Sequence, residues 1–332
     1  MTNRIAINGF GRIGRSVLRA ILQRGSPLEV VAVNDLADPA TLAHLLRYDS
    51  TLGRLGRTVT LDGDTLAVGA HRIRVLAERE PGKLPWAELG VTLVLEATGR
   101  FTAATAARAH LDAGARRVLV SAPSAGADVT IAYGINTDRY DPAAHTVVSN
   151  ASCTTNALAP LAGVLDDLAG IEQGFMTTVH AYTQEQNLQD GPHRDLRRAR
   201  AAGVNIVPTT TGAAKAIGLV LPRLEGRLSG DSIRVPVPVG SLVELNAAVE
   251  REVTRDEVLA AYRAAADGPL TGILSYTDDP IVGSDIVGDP ASAIFDAALT
   301  RVAGRHVKVV AWYDNEWGFS NRVVDTLELL SA

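Results

Sequence analysis

Arg4-Ile5-Ala6-Ile7-Asn8 is a short apolar run, and apolar positions at helical spacing follow it from Ser16 to Arg24. The first suits a strand buried on both faces, the second a helix laid against it. The alternation repeats with strands at Glu29 to Asn34, Val91 to Leu95 and Arg117 to Val120 and a helical stretch from Ala103 to Ala113. Such alternation predicts a parallel sheet with helices on its faces, whose ligands lie beyond the carboxyl ends of the strands. After Cys153 the pattern changes. An apolar helical stretch from Ala157 to Leu168 gives way to runs rich in β-branched residues: Gly174 to Tyr182, Ile233 to Val237, Leu242 to Val249, Ile273 to Tyr276 and Val307 to Tyr313. These predict a mixed or antiparallel sheet. A helix from Arg255 to Ala266 opens with Thr254 and Glu257 at capping-box spacing. Two long segments, Thr183 to Val207 and Asp278 to Pro290, follow neither period, and ordered loops of that length are usually functional.

Gly9-Phe10-Gly11-Arg12-Ile13-Gly14 stands between the first strand and the first helix. In that setting G-x-G-x-x-G is a dinucleotide-binding turn: Gly9 permits the turn, Gly11 admits a pyrophosphate, and Gly14 lets helix and strand pack closely. Asp35 ends the second strand 21 residues past Gly14, near the roughly 20 residues at which a carboxylate accepts from a ribose hydroxyl. It would repel a 2′-phosphate, which favours NAD over NADP; the plain alternative is a loop cap. Thr98, Gly99 and Ser121 lie just past strand ends and are expected to line the cleft, with Arg79 flanking the adenine, although ordinary turn chemistry also explains them. The fold class is therefore α/β, a Rossmann-type domain followed by an α+β domain.

Cys153 is the only cysteine, set in the polar run Ser149 to Asn156 just before an apolar helix. A helix N-terminus favours thiolate over thiol, so Cys153 is a candidate nucleophile with a lowered pKa; a buried structural thiol is the alternative. His180 follows 27 residues later near a strand end, placed to pair with the thiol and act as a base. His44, His71, His110, His145 and His306 lack such context and are read as core histidines. Arg194, Arg197, Arg198 and Arg200 read as a solvated face or subunit contact, whereas Thr209 to Lys215 and Arg234 read as anion ligands. The chain has 332 residues, 46% hydrophobic and 21% charged, with a net charge of −5. That suits two soluble domains and argues against a nucleic-acid partner. No export signal, membrane span, disulfide framework or metal site is expected, and a single cysteine suits the cytoplasm.

Asn8 to Arg15, Ser149 to Asn156, His180 to Thr183, Asp195 to Arg200, Thr209 to Lys215, Arg234-Val235-Pro236 and Trp312 to Glu316 together resemble phosphorylating glyceraldehyde-3-phosphate dehydrogenase, from end to end. The resemblance implies an NAD-binding domain over residues 1–151, a carboxy-terminal helix at 317–332 that returns to it, and a catalytic domain over 152–316. It implies that Cys153 forms a thiohemiacetal and then a thioester, that His180 takes the proton, and that inorganic phosphate releases the acyl group. Thr183 and Arg234, with Arg198 nearby, would hold the substrate phosphate; Ser152, Thr154, Thr211 and Gly212 the attacking phosphate. Asn315 would hold the nicotinamide carboxamide, and Arg12 and Ile13 the pyrophosphate. A homotetramer with Thr183 to Val207 at an interface is also implied. Ala157, Glu185, Gly191 and Phe319 depart from the usual pattern without removing a chemical role. Erythrose-4-phosphate dehydrogenase, with water as acyl acceptor, and a non-catalytic binding paralogue are the alternatives; Thr209 to Lys215 and Thr183 speak against the first, and the Cys153, His180 and Arg234 set against the second.

Overall fold

The first apolar run forms strand β1 (Asn3–Asn8), in a computed structural model that describes residues 3–332. Ile5, Ala6 and Ile7 in it are fully buried. The strands that follow in the first half are β2 (Leu28–Asn34), β3 (Val59–Asp62), β4 (Thr65–Val68), β5 (His71–Leu76), β6 (Leu93–Glu96), β7 (Arg117–Val120), β8 (Val129–Thr130) and β9 (Val147–Ser149). They form one sheet in the order β8-β9-β7-β6-β1-β2-β5-β4-β3, parallel except at the β3-β4-β5 edge. β1 has β2 on one side and β6 on the other. The chain thus reverses direction across the sheet at β1, a switch point of the kind where α/β sheets bind ligands.

Helix α1 (Arg12–Arg24) starts directly after the glycine turn, and α2 (Pro39–Arg47) is capped by Asp38 with Pro39 in its first turn. The single helix expected from Ala103 to Ala113 is two one-turn pieces, α3 (Ala104–Ala107) and α4 (Ala109–Asp112). Leu111 N turns back to Arg108 O at 2.8 Å, an i→i−3 bond that tightens the chain and interrupts the α-helical ladder. One compact unit comprises residues up to Tyr133, Thr137–Ala151 and Ser320–Ala332. Its last segment is tied in by Arg24 to Asp325 (2.6 Å), Ser26 to Glu328 (2.7 Å) and Arg117 to the Leu330 carbonyl (3.0 Å).

The other unit, Gly134–Asn136 and Ser152–Phe319, is built around α5 (Cys153–Ala169). This helix is buried along most of its length, which explains why it is apolar all round rather than on one stripe. Strands β10 (Ile171–Ala181), β11 (Val207–Thr210), β12 (Leu228–Val235), β13 (Ser241–Val249), β14 (Leu274–Thr277), β15 (Ala293–Asp296), β16 (Arg301–Ala303) and β17 (His306–Tyr313) form a mixed sheet. Its order is β11-β12-β10-β13-β17-β15-β14, with β16 on β17. Helix α6 (Ala213–Val220) follows β11, and α7 (Arg255–Asp267) carries the full Thr254–Glu257 capping box. α8 (Trp317–Ser331) closes the chain. Among the described residues no helix is long and apolar enough to cross a membrane.

Candidate active site

In the first unit the glycine turn is shaped by contact. Gly9 has φ +93°, and a Cβ on it would lie 2.6 Å from Thr98 N; one on Gly14 would lie 2.1 Å from Gly9 O. A Cβ on Gly11 would meet nothing within 4 Å. Two glycines therefore close the turn, and the middle one leaves a free cradle at the start of α1, where unpaired N–H groups and the helix dipole favour an anion. Ile13 and Gly14 continue into the helix, while Arg12 is held by Asp49 at 2.5 Å and by Thr51 at 2.8 Å. Burial works against ionised Asp49, yet donors from Leu52, Thr51 and Arg12 hold its carboxyl well below the usual range. Asp35 accepts from Phe10 N at 2.8 Å and Ala37 N at 3.0 Å, which fixes the carboxylate beside the turn. Ser121 donates twice to Glu96 O at 3.0 Å. Gly99 (φ +70°) and Arg79 are exposed. An open glycine cradle with a fixed carboxylate beside it fits a dinucleotide.

In the second unit Ser152 caps α5 by accepting from Thr155 N at 3.0 Å, so Cys153 opens the helix. Ala151 immediately before has φ +56°, the one such non-glycine among the described residues. A strained turn ahead of a helix start is a common mark of a functional site. Cys153 Sγ lies 3.4 Å from His180 Nε2 and 4.0 Å from Thr154 Oγ1. His180 Nδ1 is 2.7 Å from Ala181 O and 2.8 Å from Arg234 Nη1. Arg234 Nη1 can only donate, and it donates to the same Ala181 O at 3.0 Å; with the Nδ1 hydrogen also directed to that carbonyl, Nε2 is left as an acceptor facing the thiol. The register explains the placement: β10 and β12 are parallel neighbours with His180 opposite Arg234.

The lowered thiol pKa expected from the helix position is not what the site produces. Burial pushes the Cys153 thiol up against the opposing pull of Arg234, and burial together with Arg234 brings His180 down to about 3. The resting pair is thiol and neutral imidazole. His180 therefore serves as an acceptor for the thiol proton rather than as a standing positive charge.

Arg234 Nη2 and Arg198 Nη1 both reach Glu185 Oε1, at 3.2 and 2.9 Å, and the Thr183 hydroxyl donates to the same oxygen at 3.3 Å. Arg234 Nε is buried without a partner. Thr183, Arg198 and Arg234 thus converge on one anionic group. Arg198 also bonds Thr209 Oγ1 and Thr210 O, linking the cluster to the strand before α6, where Thr211 Oγ1 accepts from Ala213 N and a Cβ on Gly212 would meet open space. Arg194, Arg197 and Arg200 are exposed, as read from the sequence. Asn315 Oδ1 accepts from Gly240 N and Ser241 Oγ, so its Nδ2 is the atom left for a ligand carbonyl. Of the histidines read as core, only His110 is buried; His44, His71, His145 and His306 are exposed or half-buried. Sequence reasoning missed Tyr313. Its hydroxyl joins Thr154 (2.9 Å) and Thr178 (2.8 Å) beneath the thiol, and its ring meets the edge of His180. Only its place in the Trp312 to Glu316 motif could have drawn attention to it.

Residues 3–104 match the family model described as "Glyceraldehyde 3-phosphate dehydrogenase, NAD binding domain", and residues 152–315 the one described as "Glyceraldehyde 3-phosphate dehydrogenase, C-terminal domain". The chain is 78% identical over 329 residues to glyceraldehyde-3-phosphate dehydrogenase of Kitasatospora aureofaciens, covering 99% of each chain. It is 60% identical over 332 residues to glyceraldehyde-3-phosphate dehydrogenase 2 of Streptomyces arenae (100% and 99% covered) and 58% identical over 336 residues to the Mycobacterium avium enzyme (99% of each). The chain belongs to the glyceraldehyde-3-phosphate dehydrogenase family, with that family's NAD-binding domain matched over residues 3–104.

Proposed function

We propose that this chain oxidises D-glyceraldehyde 3-phosphate with NAD and inorganic phosphate to the acyl phosphate 1,3-bisphosphoglycerate. The observation that carries the reading is the 3.4 Å approach of Cys153 Sγ to His180 Nε2, with Arg234 behind the imidazole. Cys153 gives its proton to His180 as sulfur bonds the aldehyde carbon, and His180 passes that proton to the carbonyl oxygen, which becomes the hydroxyl of a thiohemiacetal. Gly9, Gly11, Arg12, Ile13, Gly14, Asp35, Arg79, Thr98, Gly99, Ser121 and Asn315 would hold NAD, which would supply the hydride acceptor. His180 takes the hydroxyl proton in that oxidation, and a thioester remains on Cys153. A phosphate oxygen held by Ser152, Thr154, Thr211 and Gly212 attacks the acyl carbon, the C–S bond breaks, and the thiolate is released. Thr183, Arg198 and Arg234 hold the substrate phosphate, displacing the carboxylate of Glu185.

The working form is a homotetramer in the cytoplasm. Leu188, Leu196, Val204 and Ile206, all in the segment Thr183 to Val207, are 91, 81, 80 and 71% exposed in the single chain, and such a concentration of apolar surface suits a subunit interface.

The test is NADH formation by the purified protein with the triose phosphate or erythrose 4-phosphate, each with and without inorganic phosphate. Phosphate-dependent turnover of the triose is expected; phosphate-independent oxidation of the tetrose would overturn the acceptor assignment. Cofactor choice has its own test. Asp35→Ser removes the charge that opposes a 2′-phosphate, and kcat/KM with NADP is expected to rise by about tenfold. An unchanged NAD to NADP ratio would separate Asp35 from the ribose.

A further inference from the structure

A set of buried polar side chains in the first unit takes no part in the chemistry above. Glu96 at the end of β6 and His110 on α4 are 1% and 0% exposed, and Trp86 is fully buried. Trp86 lies in an apolar cluster with Ala6, Ala32, Val91 and Val94, so its one polar atom needs a partner there. It donates from Nε1 to His110 Nδ1 at 3.0 Å. An indole N–H only donates, so Nδ1 must accept and Nε2 carries the ring hydrogen. That hydrogen goes to Glu96 Oε2 at 3.1 Å. The same oxygen accepts from Asn8 Nδ2 at 2.6 Å, while Glu96 Oε1 accepts from Thr98 N at 2.8 Å and from the Thr98 hydroxyl. Four donors fill the roughly four acceptor positions of one carboxylate.

The chain of bonds continues on the far side of β1. Asn8 Oδ1 accepts from Asn34 Nδ2 at 2.7 Å, and Asn34 is bonded in both directions to the Glu78 backbone, at 2.8 and 2.9 Å. Its ends are therefore all of one kind: the Thr98–Gly99 turn, the residue before Gly9, the residue before Asp35, and the residue before Arg79. Gly9, pressed against Ala97 and Thr98, transmits any shift of one turn to the next. Buried polar groups with no further task cost more than an apolar core of the same shape. A direct line from Trp86 to four segments around one cleft points to a task.

We infer that Trp86, His110, Glu96 and Asn8 are positioning residues for the dinucleotide, holding the Thr98–Gly99 turn in register with the Gly9 turn and the Asp35 strand end. The inference rests on NAD occupying that cleft. The experiment is calorimetric titration of the full-length protein with NAD, beside the Cys153 alkylation rate and the thermal midpoint. His110→Phe removes the donor to Glu96 and leaves Trp86 unpaired; the NAD Kd is expected to rise by about tenfold, the loss of one hydrogen bond to a charged group. His110→Gln keeps a donor and an acceptor and should stay within about threefold of the parent. Trp86→Phe, which keeps a ring in the apolar cluster and removes only the donor to His110 Nδ1, should weaken NAD several-fold and decides the matter if His110→Phe does not fold. Alkylation of Cys153 should be unchanged throughout. A lowered thermal midpoint with unaltered NAD affinity in His110→Phe and Trp86→Phe would make the set merely structural and overturn the inference. Failure of the unmodified chain to bind NAD would instead bring down the cofactor site itself.

Discussion

Replacing Cys153 with serine is expected to lower kcat by about 10⁴-fold or more while NAD affinity stays within about twofold. Serine keeps the size and the first helical position of α5, but its hydroxyl is far harder to ionise than a thiol. His180, held down to about 3 by burial and Arg234, cannot make up the difference. The glycine turn and Asp35 are untouched, so calorimetry with NAD separates lost chemistry from lost folding. Residual turnover above about 1% would remove Cys153 from the bond-forming role. The protonation of the resting pair is checked on the parent protein. With the thiol pushed up by burial, alkylation without cofactor should keep rising from pH 6 to beyond pH 8.5. A rate that is already flat at pH 6 would indicate an imidazolium–thiolate pair instead.

Much of this arrangement is legible in the sequence, and the physical reason differs by element. β1, β6 and β7 are buried on both faces and therefore read as continuous apolar runs. β3, β4 and β5 form an antiparallel edge with mixed burial, so a weaker alternation, rather than a continuous apolar run, marks them along the chain. Cys153, His180 and Arg234 stand out because polar chemistry sits beside apolar periods. Their contact depends on the parallel register of β10 with β12, which no local pattern encodes. The thiol pKa departs from the sequence expectation for a related reason: a helix N-terminus can be seen in the sequence, whereas the burial that raises the thiol pKa cannot. His110 shows the same limit. A lone histidine in an alanine-rich stretch reads as packing, and only the fold brings Glu96 and Trp86 to its two nitrogens.

Substituting His180 with asparagine should reduce kcat by about 10²- to 10⁴-fold, the usual worth of a positioned proton acceptor, and it should also change how the fold responds to acid. His180 is 4% exposed, and its pKa falls from 6.5 to about 3, first through burial and then through the charge of Arg234. In the unfolded chain the imidazole takes a proton near pH 6.5; in the folded chain it resists until about pH 3. Between those values the unfolded state binds the extra proton, so stability declines as pH falls through the window, by at most about 1.4 kcal/mol per pH unit. Above pH 6.5 both states are neutral and this contribution to the slope vanishes. Asparagine cannot titrate, so the variant should lose less stability than the parent between pH 7 and pH 4, whatever constant offset the substitution introduces. Urea unfolding at pH 7, 6, 5 and 4 measures the difference directly. Parallel curves for the two proteins would mean that His180 is not held neutral by the fold, and the imidazole would then have to be treated as a resident cation beside Cys153.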